Sequence, residues 1–163
     1  EQALSHPEYL AFLRLILDTD CADLLDIEFF TAEADLPKLV EQAHSAGVAV
    51  VCSSHDFAKT PPRAELVSRM VQMQQAGADL PKLAVMPRCR TDVLELLTAT
   101  AEMADLHPET PVITMSMGAL GAVSRLAGEA FGSAMTFANP GQASAPGQVS
   151  LDVVNAVLDA LKL

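Results

Sequence analysis

Short apolar runs with the character of buried strands alternate along this chain with stretches of helical periodicity, and that alternation leaves few folds open. Helical spacing runs from Pro7 to about Asp18, Ala34 to Ala46, Pro61 to Ala76 and Thr91 to about Asp105. It returns near Leu120 to Gly128 and after Ser150. Between these lie strand-like runs at Leu24 to Phe30, Val48 to Ser53, Lys82 to Met86, Val112 to Met117 and Ser133 to Phe137. Gly47 and Gly77 follow the ends of two helices, proline opens the third, and Thr91 and Ser150 are placed to cap the fourth and the last. Strand starts recur every ~20 to 35 residues, the length of one βα unit. The expected fold class is therefore α/β, with about five parallel strands flanked by helices. A doubly wound sheet and a (β/α)8 barrel both satisfy the pattern. A full barrel takes about 250 residues, and 163 residues fall about three units short. One α/β domain over residues 1–163 is expected.

Charge and cysteine usage narrow the function. Ten Lys and Arg face 21 Asp and Glu, a net charge of −11, which speaks against sequence-independent nucleic-acid binding. A small anionic substrate stays open, because one well-placed arginine holds a carboxylate. Cys21, Cys52 and Cys89 are odd in number, widely spaced and outside any zinc motif, as expected in a reducing compartment such as the cytoplasm. No window nears the ~18 apolar residues of a membrane span. The opening Glu1-Gln2-Ala3-Leu4 has neither a basic signal region nor an initiator Met. It reads as a start inside a longer protein.

The residues with chemistry sit on the strands. His55 closes the run Val48-Ala49-Val50-Val51-Cys52-Ser53-Ser54-His55, and Lys82 opens the next apolar run. A lysine among apolar neighbours is costly to keep charged, so its amine is expected to act as a nucleophile. A nearby histidine moves protons at neutral pH. Together they point to Schiff-base chemistry on a carbonyl. Strand alternation puts Val51 and Ser53 on the face of His55, and Ala84 and Met86 on the face of Lys82. Asp26 and Glu28 share a face of the preceding strand. They are candidates to orient His55 or to balance Lys82, and a solvated strand end explains them equally well. Arg125 on a short helix is a candidate carboxylate binder. Ser144 and Gln148 lie in the loop-like stretch from Asn139 to Gln148, and Met115, Met117 and Phe137 could wall a pocket or simply pack.

At these residues the chain resembles the type I 3-dehydroquinate dehydratase family. The matching runs are Ser54-His55-Asp56-Phe57-Ala58-Lys59-Thr60-Pro61, Asp79-Leu80-Pro81-Lys82-Leu83-Ala84-Val85-Met86-Pro87 and Thr114-Met115-Ser116-Met117-Gly118. Ser124-Arg125-Leu126-Ala127-Gly128-Glu129, Phe131-Gly132-Ser133 and Ala143-Ser144-Ala145-Pro146-Gly147-Gln148 follow in the same order. The resemblance implies a (β/α)8 TIM barrel and a lyase of the shikimate pathway, in aromatic amino acid biosynthesis. That enzyme converts 3-dehydroquinate to 3-dehydroshikimate by syn elimination without metal or organic cofactor. It implies Lys82 as the imine-forming residue and His55 as the proton-transfer residue. It implies Arg125 on the substrate carboxylate, Ser144 and Gln148 in the loop over the site, and Met115, Met117 and Phe137 around the ring.

The resemblance covers about the last two thirds of the family pattern. The family's first three strands have no counterpart here, and with them go a Glu-x-Arg substrate clamp, a further arginine and a glutamate that assists the histidine. Glu1 falls just after the region of that glutamate. An incomplete barrel leaves strand edges unpaired, so homo-oligomer formation is expected, and the missing clamp leads to the expectation of little or no turnover of the 163-residue chain. The competing reading is a catalytically inactive half-barrel that self-associates.

Overall fold

The computed structural model describes residues 4–32, 34–142 and 144–161; Glu1 and Ala143 of the loop motif lie outside the described residues. Helix α1 (His6–Asp18) leads into strand β1 (Leu24–Glu28), the short helix α2 (Phe29–Ala32) and helix α3 (Leu36–Ser45). Then come β2 (Ala49–Asp56), α4 (Arg63–Gln75), β3 (Leu80–Val85), α5 (Arg90–Leu106) and β4 (Ile113–Ser116). Two 3-10 turns, Ala119–Gly121 and Gly128–Phe131, flank α6 (Ala122–Leu126), and α7 (Leu151–Leu161) closes the chain.

The four strands form one parallel sheet in chain order, β1-β2-β3-β4. Parallel neighbours need crossovers, and α3, α4 and α5 supply them on one face of the sheet. The sheet therefore carries two different cores. On the helix side Ile27, Val50, Cys52, Leu83 and Val85 pack against Leu36, Leu39, Leu66, Met70, Met73, Leu96 and Met103. On the other face Val51, Ala84, Ile113, Met115 and Met117 make a smaller cluster with Phe137 against it. Apolar on both faces, such strands read as near-continuous hydrophobic runs.

Three elements depart from the sequence pattern. The run at Ser133 to Phe137 is not a fifth strand; it makes one parallel bridge, Val112 with Ser133. The Ser133 hydroxyl accepts the Thr114 amide at 3.1 Å, so a side chain takes a hydrogen bond that a strand backbone would have taken. β1 stops at Glu28 because Phe29 and Phe30 turn into α2, meeting edge to face at 5.2 Å. Thr91 does not cap α5: Cys89 precedes the helix, and the Asp92 carboxylate accepts the Arg88 amide at 2.8 Å.

Asp79 fixes the entry to β3. Its Oδ2 accepts the Val50 amide at 2.7 Å and lies 2.9 Å from His44 Nε2. Burial pushes this carboxyl up, but the bonds from Val50 and His44, and the charge of His44, outweigh it and hold Asp79 below the ordinary carboxylate range. A depressed folded-state value stabilises the fold above the unfolded value of ~3.9 and loses that contribution as pH falls through the lower folded one. Asp79→Asn is therefore expected to flatten the stability–pH curve below about pH 4 relative to wild type. Urea titrations at a series of pH values check it, and parallel curves for the two proteins would contradict it.

Candidate active site

Strand register assembles the site. Across the inner face, Ser53 of β2 is level with Lys82 of β3 and Ile113 of β4, and His55 is level with Ala84 and Met115. Two residues along a strand advance about 6–7 Å. The imidazole thus stands one inward-facing step closer to the C-terminal end of the sheet than the lysine backbone.

The lysine amine is not left among apolar atoms alone, as its sequence neighbourhood leads one to expect. Its side chain is 9 % exposed, and Nζ lies 2.6 Å from Asp26 Oδ2. Lys82 is level with Ser53 and Glu28, whereas Asp26 is level with Val51. The bond therefore crosses β2 diagonally, over the small Ser53 side chain. On its other side Nζ sits 5.0 Å from the centre of the Phe137 ring, in cation–π range.

Glu28 plays the matching part for the histidine. Its Oε1 bonds His55 Nδ1. A carboxylate only accepts, so Nδ1 is the protonated nitrogen of the neutral ring and Nε2 is left as the basic one. The Glu28 amide is in turn donated to the Tyr9 hydroxyl at 2.9 Å, which ties the end of β1 to α1. Phe57 stacks on the imidazole, with ring centres 6.0 Å apart.

Arg125 is the most unusual residue of the site. It is 2 % exposed, yet no carboxylate pairs with it among the described residues. Nη2 donates to the Pro146 carbonyl at 3.3 Å, Nη1 reaches the Met115 sulfur at 3.4 Å, and the buried Nε has no partner. Burial pushes the guanidinium below its ordinary range. Its helix is held close to β4: a Cβ at Gly121 would run into the Ser116 carbonyl, and Ser124 Oγ accepts the Ser116 amide at 2.8 Å.

One cavity of about 290 Å³ joins these groups. His55, Phe57, Lys82, Ala84, Met115, Met117, Arg125, Phe137, Ser144, Ala145, Pro146 and Gln148 line it. Every candidate residue except Asp26 and Glu28 is on its wall; those two stand behind the amine and the imidazole. Ser144 donates its amide and hydroxyl to Gln148 Oε1, at 2.7 and 3.2 Å, which shapes the loop. Sequence reasoning put Ala84 on the right face but gave it no role, and it missed Phe57, Pro146 and Tyr9. Phe57 neighbours a candidate histidine and was within reach; nothing in the sequence pattern joins Tyr9 to Glu28. No group of three or more His, Cys, Asp or Glu side chains converges among the described residues, and no described helix is long and apolar enough to cross a membrane.

Cys52 belongs to the outer core and not to the cavity. Burial first, and then the charges of Asp26 and Glu28, push its thiol up to about 12. Cys21 and Cys89 are exposed. Since the thiolate is the reactive form, a thiol-reactive dye should label Cys21 and Cys89 in the native protein and Cys52 only after unfolding. Rapid native labelling of Cys52, located by peptide mass mapping, would contradict this.

The sequence pattern of the family described as "Type I 3-dehydroquinase" matches residues 1–163. A 3-dehydroquinate dehydratase from Salmonella agona is 49% identical over 161 residues, covering 99% of this chain and 64% of that protein. The chain thus spans less than two thirds of the length of that curated relative. Among solved structures, a type I 3-dehydroquinate dehydratase from Clostridium difficile carrying covalently modified comenic acid superposes with a TM-score of 0.94 at 46% identity. That match covers 99% of this chain and 63% of the other. The enzyme from Geobacillus kaustophilus gives 0.92 at 41% identity, over 98% and 62%.

Proposed function

The chain belongs to the type I 3-dehydroquinase family, and from that premise we propose that it carries the imine-forming part of a 3-dehydroquinate dehydratase. The chain then corresponds to the C-terminal part of a (β/α)8 barrel without the first three strands. The observation that carries the reading is the shared cavity: an ion-paired lysine, an oriented imidazole and a buried guanidinium with no carboxylate partner among the described residues all open onto it. A keto acid meets all three.

In this reading Arg125 takes the substrate carboxylate and sets the ring over Lys82. Asp26 accepts a proton from the ammonium, which frees the Nζ lone pair to attack the ketone carbon. The carbinolamine loses water to give an iminium ion. That cation draws electrons from the adjacent C–H bond, and His55 Nε2 removes the proton to leave an enamine. The enamine expels the β-hydroxyl, which takes the proton back from His55 and departs as water. A second water hydrolyses the conjugated iminium and returns the amine. Glu28 holds the imidazole in one tautomer and stabilises it while it carries the extra proton. Ser144 and Gln148 bind hydroxyl or carboxylate oxygens, and Met115, Met117 and Phe137 exclude water from the iminium.

Borohydride reduction with 3-dehydroquinate tests the reading. The wild type is expected to gain one adduct, mapped to Lys82, and Lys82→Ala none. His55→Ala should keep the adduct while exchange of the adjacent proton slows by roughly 10²- to 10⁴-fold. Equal labelling of wild type and Lys82→Ala would overturn the lysine assignment.

We also propose that the chain works in the cytoplasm as a homo-oligomer and takes no nucleic acid. Three free cysteines, a net charge of −11 and a β1 edge on which Leu24 is 40 % exposed support this. Light scattering is expected to return at least twice the chain mass, and a monomer at micromolar concentration would contradict it.

A further inference from the structure

We propose that Ala84 determines which ketones the cavity accepts, an inference that rests on Lys82 being the imine-forming amine. Across β2, β3 and β4 the inner face at this level reads His55, Ala84, Met115. An imidazole and a thioether flank a single methyl group. One inward step below lies Lys82, and the Ala84 methyl is itself part of the cavity wall. Ala84 is buried within the inner cluster that also holds Met117 and has Phe137 packed against it, and the open space its side chain faces is the cavity.

The position matters because two reacting atoms must meet in the cavity beside it. A ketone carbon bonded to Lys82 Nζ comes from below, and the hydrogen on the next carbon must come within reach of His55 from the side. Both groups open onto the cavity that Ala84 helps to line, level with His55 and one inward step above Lys82, so a substrate joined to the amine and within reach of the imidazole shares that space. A six-membered ring uses the full width of that space, whereas a three-carbon 2-oxo acid lies along it. Each methyl added at position 84 takes volume from a cavity of only about 290 Å³. In a packed pocket one methylene changes selection by roughly 10- to 200-fold, because the walls do not yield freely. Ala84 is a partner in neither the amine's ion pair nor the imidazole's bond to Glu28, so enlarging it acts on room first.

The test compares a ring ketone with a small one on the full chain. Wild type, Ala84→Val and Ala84→Leu are each reduced with cyanoborohydride in the presence of 3-dehydroquinate or of pyruvate. The Lys82 adduct is quantified by peptide mass mapping, and circular dichroism monitors folding. The 3-dehydroquinate adduct is expected to fall by roughly 10- to 200-fold in Ala84→Val and further in Ala84→Leu, while the pyruvate adduct stays within about threefold of wild type. If Ala84→Leu does not fold, Ala84→Val and Ala84→Gly carry the same comparison, with Ala84→Gly keeping both adducts. An undiminished ring adduct in the enlarged variants, or parallel loss of both ketones in a folded variant, overturns the role of Ala84. Wild type trapping neither ketone removes the imine reading itself, a result distinct from loss confined to the variants.

Discussion

The bond from Lys82 to Asp26 across β2 is the interaction around which the inner face is arranged. An ammonium this far from water needs a partner, and the carboxylate comes from two strands away. It arrives because three parallel strands hold their register, with Ser53 of β2 level with Lys82 and Val51 level with Asp26. Losing a partner from a fully buried pair costs about 3–5 kcal/mol. Asp26 keeps 44 % of its side chain exposed, so solvent screening brings the figure toward the ~1 kcal/mol of a surface pair. The pair's larger effect is positional: it holds the amine on the inner face, 5.0 Å from the centre of the Phe137 ring.

Much of this was legible in the residues. Period-two alternation on β1, β2 and β3 already grouped Asp26 with Glu28, Ser53 with His55, and Lys82 with Ala84. Those groupings depend only on strand geometry. The division of labour between the two carboxylates was not legible. It follows from diagonal neighbours across a register, and a register is a property of the assembled sheet. Arg125 was a weak candidate from its helix position and gained weight through resemblance; that no carboxylate pairs with it among the described residues is visible only once burial and neighbours are known.

The departures have local causes. Ser133 to Phe137 has strand-like composition, but one rung of pairing exhausts its match with Val112, and the chain then turns to bring Phe137 over the amine. Phe29 and Phe30 have high strand propensity, yet they pack as a helical turn on the outer side of β1. Propensity gives way to tertiary packing at both places. At α5 the Asp92 carboxylate, two residues inside the helix, binds the Arg88 amide ahead of the cap position, and the expected side-chain cap is not made.

The Tyr9 hydroxyl accepts the amide of Glu28, and Glu28 grips the imidazole. The first helix is thereby a strut for a ring that it never touches. Loosening α1 from the sheet would let the last residue of β1 swing, and the histidine would lose its bearing while the strands themselves stayed paired. The steadiness of an imidazole on the cavity wall is thus tied to a half-buried phenol of α1 that lies outside the pocket lining.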